Sequence, residues 1–489
     1  MLFNSYVFIL LFLPVSLLGF HLLQKLAYPA LPLGWLVVCS LFFYGWWRPE
    51  YLLIIVGSML GNYLLARRIE QAASDTAKSR LMAVGVIGNL ALLGYYKYAN
   101  FFVDQFALVS GIEASLPKIV LPLAISFFTF QQIAFLVDVR RSEVRERSFL
   151  EYSLFVTFFP QLIAGPIVHH RELLPQFHRL GADTERARDL AVGITIFTVG
   201  LFKKVVIADG FSPYAASVFD GATGELGFAQ AWIGVLGYTF QLYFDFSGYS
   251  DMAVGLARLF GVRLPMNFYS PYKAHNIVEF WRRWHITLSR FLRDYLYIPL
   301  GGNRRGMPRR YINLMLTMLL GGLWHGAGWS FVIWGGLHGL YLVSNHTWHA
   351  LHKRLGMAPG RYGRGGRALA VGLTFFSVAV AWVFFRAPSV EAAVDILDAM
   401  FGGNGFSGDV HLKARFLLAV LIVWGMPNIY QLMAAYHAEH PDERLRSIEI
   451  DKARWPWTPG RGWAVITSIL FVASLFTLVR PSEFLYYQF

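Results

Sequence analysis

Charge is scarce in this sequence. Only 15% of its 489 residues are Asp, Glu, Lys or Arg, against roughly a quarter in an ordinary soluble domain. With 56% hydrophobic residues and a mean hydropathy of +0.45, no soluble globular reading fits. Cysteine is nearly absent: Cys39 stands alone inside an apolar run, which excludes an intrachain disulfide and a thiolate metal cluster. Walker, HExxH and GxSxG motifs are missing, and no internal repeat is visible. One GxGxxG match, at Gly403, Gly405 and Gly408, sits in a loop with no preceding strand and reads as chance. His169, His170 and Glu172 match no standard metal spacing, so no metal is expected. No basic leader precedes the first apolar run, which starts at Tyr6, so that run is expected to be a retained span rather than a cleaved signal.

What the chain does have is apolar runs. A spanning helix needs roughly 20 mostly apolar residues. Candidates recur from Tyr6–Leu23 and Leu31–Trp47 through Gln230–Phe246 to Leu369–Phe385 and Trp463–Leu478. The reading is an all-α integral membrane protein with about eleven spans, the shorter runs being re-entrant or half-spans. Aromatics make up 17% of the chain and crowd the ends of runs, as in Phe42-Phe43-Tyr44-Gly45-Trp46-Trp47, which suits interfacial belts. The net charge of +13 falls mostly in short loops. It is assigned to topology and anionic lipid headgroups, with no nucleic-acid partner. Arg67-Arg68 with Lys78 and Arg80, and Arg140-Arg141 with Arg145 and Arg147, place their loops in the cytoplasm and the N-terminus outside. Val168–Asp189 and Ala435–Arg461 are soluble in character. Pro271–Pro299 is too charged to span, yet Trp281, Trp284, Leu288, Phe291, Leu292 and Tyr295 recur at helical spacing. It is predicted to form an amphipathic helix, lying in the interface or packed into the bundle.

Ionisable groups at membrane depth are costly and are functional candidates by default. Three clusters qualify. His325 lies in Gly321-Gly322-Leu323-Trp324-His325-Gly326-Ala327. A neutral imidazole is a good base near pH 7, and small neighbours admit a substrate; the alternative is a core histidine bonded between helices. His285 lies in Trp281-Arg282-Arg283-Trp284-His285, near His275, Asn276 and Glu279. Arg282 and Arg283 suit a phosphate, a carboxylate or an anionic lipid; the plain alternative is the polar face of an interfacial helix. Asp245 and Asp251 lie in aromatic surroundings and need partners, with Arg282 or Arg283 as candidates. A structural ion pair or cap is favoured there over direct catalysis.

Together, QLYFDFSGYSDMA, EFWRRWHITLSRFLRDYLYIPLGGNR and TMLLGGLWHGAGWSFVIWGGLHG resemble the membrane-bound O-acyltransferase family, in its bacterial alginate O-acetyltransferase-like branch. LGYYKYANFF, PLAISFFTFQQIAFLVDV and FPQLIAGPI agree with it, and the resemblance covers roughly residues 1–400. It implies a ring of tilted helices around a thin core with a central tunnel. The whole chain, 1–489, is then one domain: N-terminal spans in 1–150, a catalytic core in 151–350 and C-terminal spans in 351–489. The resemblance makes His325 the catalytic residue and His285 its second histidine. Trp324, Asp245, Asn276, Arg282 and Arg283 become candidates for contact with substrate. It further implies acetyl-CoA as donor, with an acyl carrier as the alternative, and no permanently bound cofactor. The acetyl group would cross the bacterial inner membrane and pass through a periplasmic acetyltransferase or acceptor protein to a polysaccharide such as alginate. Peptidoglycan, cellulose and teichoic acid are alternative acceptors. A polytopic polysaccharide transporter is the reading from another class.

Overall fold

The computed structural model describes residues 1–26, 28–143, 148–178, 180, 186–221, 226–356, 363–406, 414–437, 453–478 and 485. Arg145, Arg147, Gly408, part of Val168–Asp189 and most of Ala435–Arg461 lie outside the described residues. Among those described, the regular elements are all helices. This is the solution hydrocarbon enforces, because a helix satisfies its own backbone hydrogen bonds.

Among the described residues, three helices are long and apolar enough to cross a membrane: Tyr51–Gln71, Arg186–Phe219 and Arg364–Arg386. Shorter apolar helices cover Phe8–Leu23, Ala30–Gly45, Ala414–Gly425 and Arg461–Thr477. Length and apolarity alone therefore give fewer spans than the sequence led us to expect. The physical reason lies in the core helices. Phe228–Leu259 has 32 residues, but Gln230, Gln241, Asp245 and Asp251 interrupt its apolar surface. Ile125–Arg140 has only 16 residues and is buried on nearly every side. The outer helices present the complementary face: Leu53 is 79% exposed, Val109 86% and Phe476 79%. Extended apolar exposure of this kind marks a surface made for lipid.

Backbones approach closely where glycine allows it. Arg186–Phe202 crosses Phe228–Leu259 through two glycine pairs, Gly193 with Gly255 and Gly200 with Gly248. A Cβ on Gly248 would lie 2.7 Å from the Gly200 carbonyl oxygen. Small residues at such crossings are how helices pack without a hydrophobic driving force. Gly306–His325 and Trp329–Arg354 form a second tight pair, in which Gly322 and Gly335 face each other's helices.

Pro271–Pro299 is not one amphipathic helix. It breaks into Ile277–Arg283 and Ile286–Leu292, with His285 between them at φ 43°. Of the predicted alternatives the packed one holds: Trp284, Leu288 and Phe291 are buried. The break has a tertiary cause. The segment after Phe228–Leu259 runs back alongside it, and backbone bonds Tyr269 N–H to Arg283 O and Ile286 N–H to Asn267 O, both 2.9 Å, pin the chain on either side of His285.

Candidate active site

His325 is the last residue of Gly306–His325. The final carbonyls of a helix have no internal partner, and here two residues of a neighbouring helix supply them. Lys97 Nζ donates to the carbonyls of Trp324 at 2.5 Å and His325 at 3.1 Å, and the Tyr98 hydroxyl donates to that of Leu323 at 2.8 Å. The chain then leaves through Gly326, where a Cβ would run into the ring of Phe331. The imidazole is buried among aromatic rings: Trp324 at 4.9 Å, Trp334 at 5.1 Å and Phe385 at 5.1 Å between centroids. Beside it lies a cleft of about 90 Å³ whose wall includes Lys97, Ala124, Phe127 and Trp324.

His285 is buried as well, and its ring is oriented by one side chain. Its Nδ1 lies 3.1 Å from Asn267 Oδ1. The same oxygen accepts from the Thr287 backbone N–H at 3.3 Å and from the Thr287 hydroxyl at 2.9 Å. A backbone N–H can only donate, so this end of the Asn267 amide is the carbonyl. His285 Nδ1 therefore carries the proton, and Nε2 carries the lone pair. A non-glycine residue in left-handed conformation costs about 1–3 kcal/mol and persists where the surroundings over-determine it. The Asn267 bonds and the paired backbone supply that determination.

His285, Lys97 and His338 all lie close enough to His325 to act on it electrostatically. The fold thus brings together the two histidines that the sequence singled out. It adds two residues that sequence reasoning passed over, Lys97 and His338. Both stand in apolar surroundings within the quoted stretches LGYYKYANFF and GGLHG. A charge or imidazole within an apolar run was the signal available for each.

The other candidates are placed differently. Trp324 is in the site, stacked on Phe130 at 5.1 Å. Asp245 is held by Lys204 at 2.8 Å and Asp251 by Lys203 at 2.8 Å, so neither depends on Arg282 or Arg283 as the sequence led us to expect. Arg283 instead pairs with Glu279 at 2.5 Å, and Asn276 caps the same helix by accepting the Glu279 N–H at 2.8 Å. Arg282 is exposed. Glu172 is engaged by Arg290 at 2.5 Å, and His169 by the Tyr295 hydroxyl at 3.0 Å.

Residues 137–364 match the profile of MBOAT, the membrane-bound O-acyltransferase family. The chain is 48% identical to the "Peptidoglycan O-acetyltransferase" of Helicobacter pylori, over 83% of this chain and 81% of that protein. It is 38% identical to the "Probable alginate O-acetylase AlgI" of Pseudomonas putida over the whole of both. At 28% identity it matches the "Teichoic acid D-alanyltransferase" of Bacillus subtilis, over 54% of this chain and 68% of that protein.

Proposed function

Since the chain belongs to the membrane-bound O-acyltransferase family, we propose that it carries an acetyl group from a cytoplasmic thioester donor, acetyl-CoA, to a hydroxyl acceptor beyond the bacterial inner membrane. His325 is the general base. It removes the acceptor's proton as the hydroxyl oxygen attacks the acyl carbon. The oxyanion formed needs a donor, for which Trp324 through its indole N–H, His285 and backbone N–H groups are candidates. The observation that carries this reading is the buried pair of histidines, His285 with its tautomer set by Asn267 and His325 at a helix end beside a cleft.

Asp245, Asn276 and Arg283 are already bound to other protein groups; we assign them to holding the wall of the site. Arg282, being exposed, is assigned to phosphates of the donor or of lipid. The remaining hydrophobic segments complete a ring of about eleven spans around the tunnel, with the catalytic core in 151–350. Membership of an acyltransferase family displaces the transporter reading.

For the acceptor, the full-length likeness to alginate O-acetylases supports an exported polysaccharide of that class, reached through a periplasmic acetyltransferase. The 48% identity to a peptidoglycan O-acetyltransferase favours peptidoglycan as the second reading. The test uses the purified chain in lipid nanodiscs with radiolabelled acetyl-CoA and a periplasmic acetyltransferase. Label on alginate oligomers supports the first reading, label on peptidoglycan fragments the second. Label on neither, with active partners present, overturns both.

A further inference from the structure

Buried N–H groups almost always find a partner, and a side-chain donor left without one is unusual enough to need a reason. Around His325 there are three. Trp324 Nε1, Trp334 Nε1 and His338 Nε2 are each buried without a hydrogen-bond partner among the described residues. They are contiguous: Trp324 and Trp334 both touch the His325 ring, and the Trp334 and His338 rings lie 4.9 Å apart. The His338 nitrogen is a donor for a structural reason. Trp281 Nε1–H donates to His338 Nδ1 at 3.3 Å, so the neutral ring carries its proton on Nε2. Trp334 is fixed from behind by Trp382, stacked at 5.7 Å, and by Phe385 at 5.0 Å. The aromatic cluster packed around His325 therefore offers N–H donors held rigidly. The ligand that complements it is an oxygen with lone pairs and no proton.

We propose that Trp334 Nε1–H and His338 Nε2–H hold the carbonyl oxygen of the acyl group beside His325 and stabilise it as it becomes an oxyanion; this rests on the acyl-transfer reading of the site. As His325 takes the acceptor proton, the hydroxyl oxygen bonds to the acyl carbon and the carbonyl π pair moves onto the oxygen facing these donors. The oxygen pair then re-forms the carbonyl, the carbon–sulfur bond breaks with its own pair leaving on sulfur, and the thiolate takes up the proton from His325. Donors already in place need not reorganise during the reaction, which is the origin of their catalytic value.

The test separates binding from turnover. Full-length protein in nanodiscs is titrated with acetonyl-CoA, a thioether that keeps a carbonyl, and with propyl-CoA, which lacks it. Wild type is expected to prefer acetonyl-CoA by about tenfold, the worth of a well-made hydrogen bond. Trp334→Phe and His338→Phe should lose the preference. His338→Gln, whose amide nitrogen stands near the place of Nε2, should keep it, and so should His325→Ala. In turnover, Trp334→Phe should lower kcat about a hundredfold with KM little changed. If Trp334→Phe fails to fold, the two His338 variants decide. Equal binding of both analogues by wild type, or a preference surviving in folded Trp334→Phe and His338→Phe, overturns the inference alone. Failure of wild type to bind either analogue removes the CoA-donor reading, and the inference with it.

Discussion

Asn267 Oδ1 sits 3.1 Å from His285 Nδ1 while accepting two further bonds from Thr287. One amide oxygen thus fixes the tautomer of His285, its ring plane and the start of the Ile286–Leu292 helix. Asn267→Ala is expected to lower kcat about 10- to 100-fold, as for other groups that orient a histidine. It also leaves buried donors unpaired, at about 1–3 kcal/mol each. Asn267→Asp, which keeps the acceptor oxygen, should retain more activity than Asn267→Ala. Steady-state kinetics and thermal melts in detergent check both.

Lys97 joins a separate helix to the last turn of Gly306–His325. Lys97→Met removes both of its bonds to that turn but keeps most of the side-chain volume. The expected outcome is a loss of about 1–3 kcal/mol in stability from the carbonyls left bare. Activity should fall by at least about tenfold as the His325 backbone loosens. Activity unchanged in a folded Lys97→Met would show that the helix end holds itself.

Lys204 is buried between Asp245 at 2.8 Å and Asp209 at 2.6 Å. Removing one partner of a buried pair costs about 3–5 kcal/mol, because the other charge is left uncompensated. Asp245→Asn and Lys204→Met are each expected to lower the melting temperature, and the double variant to recover part of the loss. A folded Asp245→Asn with normal stability and no activity would give Asp245 a direct catalytic part instead.

His325 and His285 were legible because ionisable residues stand out in apolar sequence and the surrounding motifs are distinctive. The helical, membrane-embedded character followed from apolar runs in the same way. What the sequence hid is tertiary. The break at His285 depends on backbone bonds from residues 267 and 269, which no helical periodicity within 271–299 reveals. The partners of Asp245 and Asp251 are lysines on another helix, brought there by the glycine crossings at Gly200 and Gly248. Nearer arginines in sequence were the natural guess, and Arg283 was already taken by Glu279, four residues before it. A test of length and apolarity alone picks out few spans, because core helices such as Phe228–Leu259 carry polar residues that other helices satisfy.

Gly326 allows the chain to turn beneath Phe331, whose ring bears on Phe385 and, through it, on His325. Gly326→Ala is expected to displace this stack, with an overpacking cost of about 1–3 kcal/mol and a clear loss of kcat. Gly363→Ala, at a glycine where a Cβ meets nothing within 4 Å, serves as the matched control and should behave like wild type.

The most direct measurement is acetyl transfer by the purified protein in lipid nanodiscs, with radiolabelled acetyl-CoA and the periplasmic acetyltransferase, comparing wild type with His325→Ala after size exclusion has shown both to be folded. The account expects label transfer in wild type and a loss of at least about a thousandfold in the variant. Transfer by folded His325→Ala at a rate near wild type would contradict it.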